Sequence, residues 1–200
     1  HHMQMVSKLK SQIKRFWNFL GEDSLASWIA NVVLSFIVIY FIVYPGLGFI
    51  LSTSLPVVAV VSGSMEHRDY SFNDWWDNNW KDYDRYSIKK EDFSQFRFKN
   101  GFNKGDIMVI YGAEPKDIKV GQVIVYRSTH SSNPIIHRVV SIENAGEDYY
   151  LTTKGDNNQA ADQDRVNKEQ IKDTGKAILR IPYLGWIKIL FTDFISSLRR

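Results

Sequence analysis

The sequence contains no cysteine. This absence excludes disulfide frameworks, zinc sites built on thiolates and cysteine nucleophiles together, because each of them needs a thiol side chain. The sequence also lacks a strong excess of charge of either sign: 25 Lys and Arg face 22 Asp and Glu, which gives a formal net charge of +3. Since the basic residues are interleaved with acidic ones instead of forming one basic face, we expect no nucleic-acid partner.

Internal repeats and low-complexity tracts are absent as well. The chain has 200 residues, which is room for one ordinary domain with appendages. His1 and His2 precede Met3 in the manner of a tag remnant and are left out of any site.

One long uncharged stretch begins at Trp28. It reads WIANVVLSFIVIYFIV, and apolar residues continue to Leu51. About 24 apolar residues suffice to cross roughly 30 Å of hydrocarbon. We therefore predict a transmembrane helix over 25–51 that Pro45 kinks or ends. A cleaved signal peptide fits less well, because the apolar stretch is long and does not start the chain.

The charges that flank this stretch predict its orientation. No charged residue follows it until Glu66, whereas basic residues precede it, at Lys8, Lys10, Lys14 and Arg15. The positive-inside rule then predicts a single-pass protein of the cell membrane with a cytoplasmic N-terminus and all later residues outside. Residues 1–24 alternate apolar and basic side chains at helical spacing, which predicts an amphipathic cytoplasmic segment on the inner membrane surface.

The later part of the chain is typical of a β domain. Short runs rich in β-branched and aromatic residues are separated by turn residues: DIMVIYG, GQVIVYR, IIHRVVSIE, DYYLTTK and GKAILRI. This spacing favours an antiparallel sheet over βαβ units. We predict a mainly β chain, with an extracytoplasmic antiparallel domain over 52–187. The tail 188–200 is predicted to be an interfacial helix or the start of a span that continues beyond the sequence.

A segment of different composition, 66–104, interrupts the predicted β domain. It is rich in aromatic and charged residues and holds Trp75, Trp76 and Trp80. One interpretation is an insertion that contacts substrate or dips into the membrane, since Trp and Tyr favour the headgroup region. The other is that these rings pack on the sheet.

The stretch SGSM places Ser64 shortly beyond the apolar helix. A serine hydroxyl needs a base within hydrogen-bond reach, and the base needs a group that orients it. His137 lies inside the β run PIIHRVV, whereas His67 lies at the mouth of the insertion and His130 in a polar turn. Taken alone, a histidine in such a strand is more often structural.

The polar turn KGDNNQAADQD offers carboxylates that could accept the imidazole N–H, at Asp156, Asp162 and Asp164. Taken alone, it is also an ordinary Asp/Asn-rich turn. A calcium loop fits poorly, because Ala160, Ala161 and Asn167 stand where such a loop needs ligands or glycine.

In their order along the chain, SGSM, GDIMVI, VGQVIVY, IIHRV and KGDNN resemble the type I signal peptidases, in the branch shared by archaea and the eukaryotic endoplasmic reticulum. The resemblance covers about residues 28–187. Two features depart from the family pattern: His67 stands where a proline usually follows Ser-Met, and the insertion 66–104 is long, as in some archaeal members.

The resemblance implies a role for each matching residue. Ser64 matches the nucleophile, and His137 matches the general base, which is a lysine in the bacterial branch. Asp156 and Asp162 match the two acidic positions, with Asp156 expected to contact the base and Asp162 to support it. Ser62 matches a serine whose hydroxyl helps the Ser64 backbone N–H hold the oxyanion.

One ambiguity concerns the second acidic position, where Asp164 is the alternative to Asp162. The substrate-binding residues are not identified by the resemblance. We expect Val57–Ser62 to be an edge strand that pairs with the extended substrate.

The function implied by the resemblance is that of a membrane-bound serine endopeptidase, which removes signal peptides from preproteins after small residues through an acyl-enzyme. Its partners would be preproteins, the lipid bilayer and the protein-translocation channel, and neither a metal nor a cofactor is implied. Two alternatives stay open. One is a specialised membrane protease with a narrow preprotein set, and the other is a membrane-anchored binding domain whose tryptophans stack on glycans.

Overall fold

The computed structural model describes residues 2–146 and 148–197. Its internal contacts separate residues 1–47 from residues 48–200. The predictions made for His1, as part of a tag remnant, and for the last three residues of the tail, 198–200, lie outside the described residues.

The first unit is helical, with α1 over His2–Leu20 and α2 over Leu25–Val38. Ser24 begins α2, because its extended backbone and its hydroxyl let it accept the N–H of Ser27 at 3.1 Å. The Ser27 hydroxyl in turn donates to the carbonyl of Leu20 at 2.9 Å, which satisfies an acceptor at the end of α1. The turn between the two helices is therefore fixed by local caps.

The helix that begins at Leu25 continues past α2 through a π-helical turn, Ile39–Val43, into α3, Tyr44–Ile50. The whole run has 26 residues, and its 18-residue apolar window has a mean hydropathy of 2.3, so by length and composition it is able to cross a bilayer. The helix does not end at Pro45. Proline lacks an N–H and its ring crowds the carbonyl four residues earlier, and the wider π-helical turn just before it relieves this clash.

The second unit is built on one antiparallel sheet with the strand order β1-β2-β7-β3-β4-β5-β6. The five predicted β runs form β2, β3, β4, β5 and β7, so the prediction of a mainly β domain is confirmed. The strand bounds are β1 Val57–Ala59, β2 Ile107–Tyr111, β3 Val123–Tyr126, β4 Ile135–Ala145, β5 Asp148–Lys154, β6 Arg165–Val166 and β7 Gly175–Ile181.

Strand β3 lies at the centre of the core. Val123 and Val125 belong to one apolar cluster, and Ile124 and Tyr126 belong to a second. Because successive side chains of a strand point to opposite faces, β3 is buried on both sides. Burying each such side chain contributes about 1.5–3 kcal/mol, which makes β3 a rigid support for its neighbour β4.

The insertion forms two helices, α4 over Phe72–Asp84 and α5 over Lys90–Ser94. Trp75 and Trp76 are only 3% and 6% exposed, and they pack with other aromatic rings and with a valine of β4 in one cluster. Trp80 is 43% exposed. The structure thus favours packing on the sheet for two of the three tryptophans, and the insertion is part of the core. The members of the cluster are Trp75, Trp76, Tyr83, Ile88, Phe93 and Val140.

The remaining elements connect the strands and end the chain. A short 3-10 turn, Pro115–Asp117, precedes β3, and α6, Lys168–Ile171, precedes β7. The tail forms α7 over Trp186–Ser197.

The packing of the insertion is tested by a matched pair of tryptophan substitutions. Trp76→Ala removes a buried ring and is expected to lower the free energy of unfolding by about 3–5 kcal/mol. Trp80→Ala removes an exposed ring and is expected to cost less than about 1 kcal/mol. Urea unfolding of the full chain in detergent, followed by circular dichroism, measures both. Equal losses would contradict the packing described above.

Candidate active site

Ser64 lies on the loop that follows β1, between a glycine and a methionine. The Met65 side chain is completely buried in the core, whereas Ser64 itself stays partly exposed. The carbonyl of Ser64 accepts the backbone N–H of Asn157 at 2.8 Å. The loop is therefore anchored on one side by packing and on the other by a hydrogen bond, and it presents the Ser64 hydroxyl at a fixed place.

His137 lies on β4, directly opposite Ile124 of β3. Its Nε2 is 2.9 Å from Ser64 Oγ, and its Nδ1 is 2.7 Å from Asp162 Oδ2. A carboxylate only accepts, so Nδ1–H donates to Asp162, and the bare Nε2 then accepts the hydroxyl proton of Ser64. Ser64, His137 and Asp162 thus form the hydrogen-bond chain of a nucleophile, its base and the group that orients the base.

Asp162 is held in place by its own set of donors. Its backbone N–H donates to the Thr153 carbonyl at 2.8 Å, and its Oδ2 accepts the hydroxyls of Thr153 at 2.7 Å and Tyr126 at 3.0 Å. Burial tends to raise the pKa of Asp162, but the hydrogen bond and charge of His137, with Thr153 and Tyr126, hold it below its ordinary value. Burial also raises the pKa of Tyr126, which keeps its hydroxyl protonated as a donor.

Ser62 lies beside the nucleophile, with the two Oγ atoms 3.1 Å apart. Since the Ser64 proton faces His137, Ser62 is the donor in this pair. Among the residues that the structure describes, the N–H of Ser64 has no acceptor. Two donors therefore lie beside Ser64 Oγ: the Ser62 hydroxyl, which can rotate toward an oxygen bound there, and the backbone N–H of Ser64.

Asp156 does not occupy the place that the sequence predicted for it. It was expected to contact the base, but the carboxylate on His137 belongs to Asp162. Asp156 is completely buried and pairs with Arg138, whose Nε and Nη2 donate at 2.9 and 2.7 Å. Neighbouring residues of a strand face opposite sides, so His137 and Arg138 point apart, and each meets a different aspartate.

The guanidinium of Arg138 is buried and fully hydrogen-bonded. Its remaining N–H groups donate to the backbone carbonyls of Arg97, Phe98 and Gly121 at 2.8–3.1 Å. Burial tends to lower the pKa of Arg138, but the adjacent Asp156 carboxylate raises it above its ordinary value. Arg97 and Phe98 belong to the insertion, so this one side chain joins the insertion to the strand that carries His137.

The carboxylate of Asp156 accepts two further hydrogen bonds from the insertion. His67 Nε2 donates at 2.9 Å, and the Tyr83 hydroxyl donates at 2.9 Å. Burial tends to raise the pKa of Asp156, but Arg138 and His67 outweigh it and hold the pKa well below its ordinary value. Asp156 is therefore a permanent anion within a closed polar network.

The turn that carries Asp156 supports the nucleophile loop from behind. The next residue, Asn157, donates its N–H to the Ser64 carbonyl at 2.8 Å and its side-chain amide to the Gly63 carbonyl at 3.1 Å. A Cβ on Gly155 would come within 2.8 Å of the same Ser64 carbonyl, so only glycine permits this close approach. Asp156 thus helps to hold Ser64 in place indirectly, because the backbone of its turn is bonded to the loop that carries Ser64.

Several other candidates lie away from the triad. Asp164 bonds Ser128, Thr129 and His130, so it does not replace Asp162. Lys154 is buried on the Tyr83 ring and donates to the Gly155 carbonyl. In the part of the chain that the structure describes, no lysine bonds Ser64.

Sequence reasoning missed Arg138 and Tyr83 as parts of the site. Arg138 carries a usable signal, because an arginine inside an apolar β run needs a buried partner. Tyr83 carries a weaker signal, because it follows Phe72, Trp75 and Trp76 at helical spacing on one face of α4.

Comparison with known proteins finds relatives that share one name. No family model matches the chain. It is 28% identical over 174 residues to the "Signal peptidase complex catalytic subunit SEC11" of Colletotrichum graminicola, which covers 82% of each chain. It is 29% identical over 175 residues to the protein of the same name from Sclerotinia sclerotiorum, which covers 82% of this chain and 81% of the relative. The chain is a homologue of the signal peptidase catalytic subunits.

The predicted resemblance to type I signal peptidases of the endoplasmic-reticulum type is thereby confirmed. A further relative from Scheffersomyces stipitis bears the same name, at 27% identity over 76% of this chain. These relatives are fungal, so they support the endoplasmic-reticulum half of the predicted branch and give no support to an archaeal origin. The similarity extends over about four fifths of the chain.

The buried network around Asp156 generates a stability prediction. Asp156→Asn leaves the Arg138 guanidinium buried without its counter-charge, so we expect the free energy of unfolding to fall by about 3–5 kcal/mol. The control is Asp69→Asn, at an exposed position, which should change it by less than about 0.5 kcal/mol. Denaturant unfolding of both variants gives the numbers, and a loss below 1 kcal/mol for Asp156→Asn would contradict the network.

The same network predicts a pH dependence of stability. Because the folded-state pKa of Asp156 is depressed, its contribution is fully present above the unfolded-state pKa of about 3.9 and is lost as the pH falls below it. The stability difference between the natural chain and Asp156→Asn should therefore be constant from neutral pH to about pH 5 and shrink below about pH 4. Unfolding measured across this range checks the sign, and a difference that grows on acidification would refute it.

Proposed function

We propose that this chain is a membrane-bound serine endopeptidase that removes N-terminal signal peptides from preproteins after small residues. The observation that carries the proposal is the continuous hydrogen-bond chain from Ser64 through His137 to Asp162. The similarity of the protein to signal peptidase catalytic subunits supports the same activity.

The geometry supports attack by Ser64 Oγ on the scissile carbonyl. His137 Nε2, at 2.9 Å, takes the hydroxyl proton, and Asp162 at 2.7 Å stabilises the imidazolium that forms. His137 then donates this proton to the leaving amine, which breaks the peptide bond and leaves an acyl-enzyme on Ser64. A water molecule, deprotonated by His137, hydrolyses the ester and restores the hydroxyl.

The oxyanion would be held by the two free donors beside Ser64. The Ser62 hydroxyl lies 3.1 Å from Ser64 Oγ, close enough to turn toward an oxygen bound there. The Ser64 backbone N–H is the second donor. Donors already in place before charge develops stabilise a tetrahedral intermediate by several kcal/mol, on the order of 3 for one donor.

The substrate would bind in extended form along β1. This strand pairs with β2 on one side, and it lies at the end of the sheet, so its other side is open among the described residues. An extended peptide can add to such an edge through main-chain hydrogen bonds. The segment Val57–Ser62 leads directly to Ser64, so a peptide paired with it presents a bond to the nucleophile. The strand itself is shorter than predicted and ends at Ala59.

The apolar helix would place this chemistry at a membrane surface. We propose that Leu25–Ile50 spans the bilayer as part of the predicted segment 25–51, with residues 1–24 cytoplasmic and the catalytic domain 52–187 outside. Ser64 follows the end of the helix closely. A signal peptide is cleaved just past its own apolar stretch, so confinement to one membrane raises the effective concentration of its cleavage site at Ser64.

The proposed partners follow from this placement. They are preproteins, the lipid bilayer and the protein-translocation channel, together with further subunits, because the relatives are named as subunits of a complex. We also propose that the tail 188–200 rests at the outer membrane interface, since the apolar residues of α7 are mostly exposed.

Two alternative functions have less support from the structure. A specialised protease with a narrow preprotein set would share this site and differ only in specificity. A glycan-binding domain would need exposed tryptophan faces, but Trp75 and Trp76 are buried.

The nucleophile and the base are tested together in a cleavage assay. Ser64→Ala and His137→Ala should each lower kcat on a secretory preprotein by about 10⁴-fold or more, while both variants stay folded. The exposed residues Ser131 and His130, changed to Ala, serve as matched controls. The measurement is product formation by the purified full chain in detergent. Cleavage by Ser64→Ala near the natural rate would contradict the assignment of Ser64 as the nucleophile.

The identity of the orienting carboxylate is tested separately. Asp162→Asn should lower kcat by about 10²–10⁴-fold with little change in KM, because an amide at this place does not favour the Nδ1–H tautomer or stabilise the imidazolium. Asp164→Asn, which changes a nearby carboxylate off the triad, should stay within about twofold of the natural rate. If Asp164→Asn is the impaired variant, the roles of the two carboxylates are reversed.

A further inference from the structure

A polar cleft of about 220 Å³ opens beside the nucleophile loop. Its walls come from residues just after Ser64, from α4 of the insertion and from the turn of Asn157. The volume equals that of about seven water molecules, enough for one polar side chain with some water. Neither the triad nor the buried pair Arg138–Asp156 uses this cleft.

The cleft adjoins Ser64 closely. Glu66 is one of its walls, and a Cβ on Gly63 would lie only 2.9 Å from Glu66 Oε2. Asn157 is another wall, and it is bonded to the carbonyls of both Gly63 and Ser64. The cleft therefore lies next to the loop that carries Ser64.

The cleft is rich in hydrogen-bond acceptors. The side-chain amide groups of Asn78 and Asn79 each donate to a backbone carbonyl of their own helix at 2.7 Å, and that of Asn157 donates to Gly63. These bonds fix the amide orientations and use one N–H of each amide. Three side-chain carbonyl oxygens and three second N–H groups therefore remain, and no donor among the described residues reaches the oxygens. The Glu66 carboxylate adds a fourth acceptor to the walls.

His67 adds unmet hydrogen-bonding capacity to one wall. Its ring is only 3% exposed, its Nε2 donates to Asp156, and its Nδ1 is buried without a partner among the described residues. A buried polar atom in this state is uncommon and costs stability unless a ligand or water satisfies it. Since Nε2 carries the proton, Nδ1 is an acceptor.

The charges of the walls limit what the cleft binds. Glu66 is the one anion and Arg68 the one cation among the cleft residues, so their charges offset each other. Because these charges offset each other, the cleft favours neither an acidic nor a basic side chain, whereas its side-chain carbonyl oxygens favour a group that donates hydrogen bonds. An uncharged group with N–H or O–H donors fits this lining best.

We propose that the cleft binds an uncharged, hydrogen-bond-donating side chain, such as that of glutamine, in the first residues of the substrate after the scissile bond. This inference rests on the proposed function. If the segment before the bond lies along β1 and the bond lies at Ser64, the extended chain continues beyond Ser64. Glu66 and Asn157 adjoin Ser64 there. The insertion would then help select the mature end of the preprotein.

The test is a preprotein series that carries Gln, Glu, Met or Lys at each of the first three positions after the cleaved bond. Gln, Glu and Met have nearly the same shape, so they separate hydrogen-bond donation from size. At one position we expect kcat/KM for Gln to exceed that for Glu and Met about three- to tenfold, the effect of one or two net hydrogen bonds. The purified full chain in detergent is used throughout.

A double variant, Asn78→Ala with Asn79→Ala, removes two of the acceptors. It should bring the ratio of Gln to Met rates close to one. Asn73→Ala, on the same helix but outside the cleft, should keep the full preference.

Each other outcome counts against the inference. Equal rates for all four residues at all three positions, a preference for Lys over Gln, or a Gln preference that survives in the double variant would each overturn the cleft assignment alone. If the natural chain cuts no member of the series, the proposed function itself fails.

Discussion

The buried ion pair between Arg138 and Asp156 is the interaction on which the site depends. Both side chains are fully removed from water, which is expensive unless every donor and acceptor finds a partner. The N–H groups of Arg138 do find partners, on Asp156 and on three backbone carbonyls. Those partners belong to the insertion, to the turn before β3 and to the turn behind Ser64, so one pair holds three segments that are distant in sequence.

The alternating direction of the side chains along β4 connects this pair to the catalytic residues. His137 faces Ser64 and Asp162, and the next residue, Arg138, faces the other way into the insertion. A shift of β4 by one residue would exchange the two faces and place a guanidinium at the nucleophile. The apolar residues of β3, buried on both sides, oppose such a shift. The register of β4 thus fixes the base and its buried neighbour at once.

The parts of the structure that sequence reasoning predicted are those with a regular pattern. The apolar helix and the β runs are periodic or continuous, and Ser64 and His137 stand in motifs with distinct composition. The assignment of Asp156 and Asp162 failed because both lie in an irregular turn, where no period tells which side each residue faces. Sequence reasoning left the burial of the tryptophans open although a signal exists. Phe72, Trp75, Trp76 and Tyr83 recur at helical spacing on one face of α4, and most of its charged residues lie on the other.

The two departures from the family pattern prove to be one structural feature. His67 stands where a proline usually follows Ser-Met, and a proline side chain could not bond Asp156 as the imidazole does at 2.9 Å. The His67 ring is buried because Trp75 of the insertion stacks on it, with ring centres 3.7 Å apart and planes within 5°. Without the insertion this imidazole would lose its cover. Without the imidazole, the insertion would lose one of its direct bonds to the turn that holds Ser64. The long insertion and the missing proline therefore require each other, and both act on the nucleophile through Asp156.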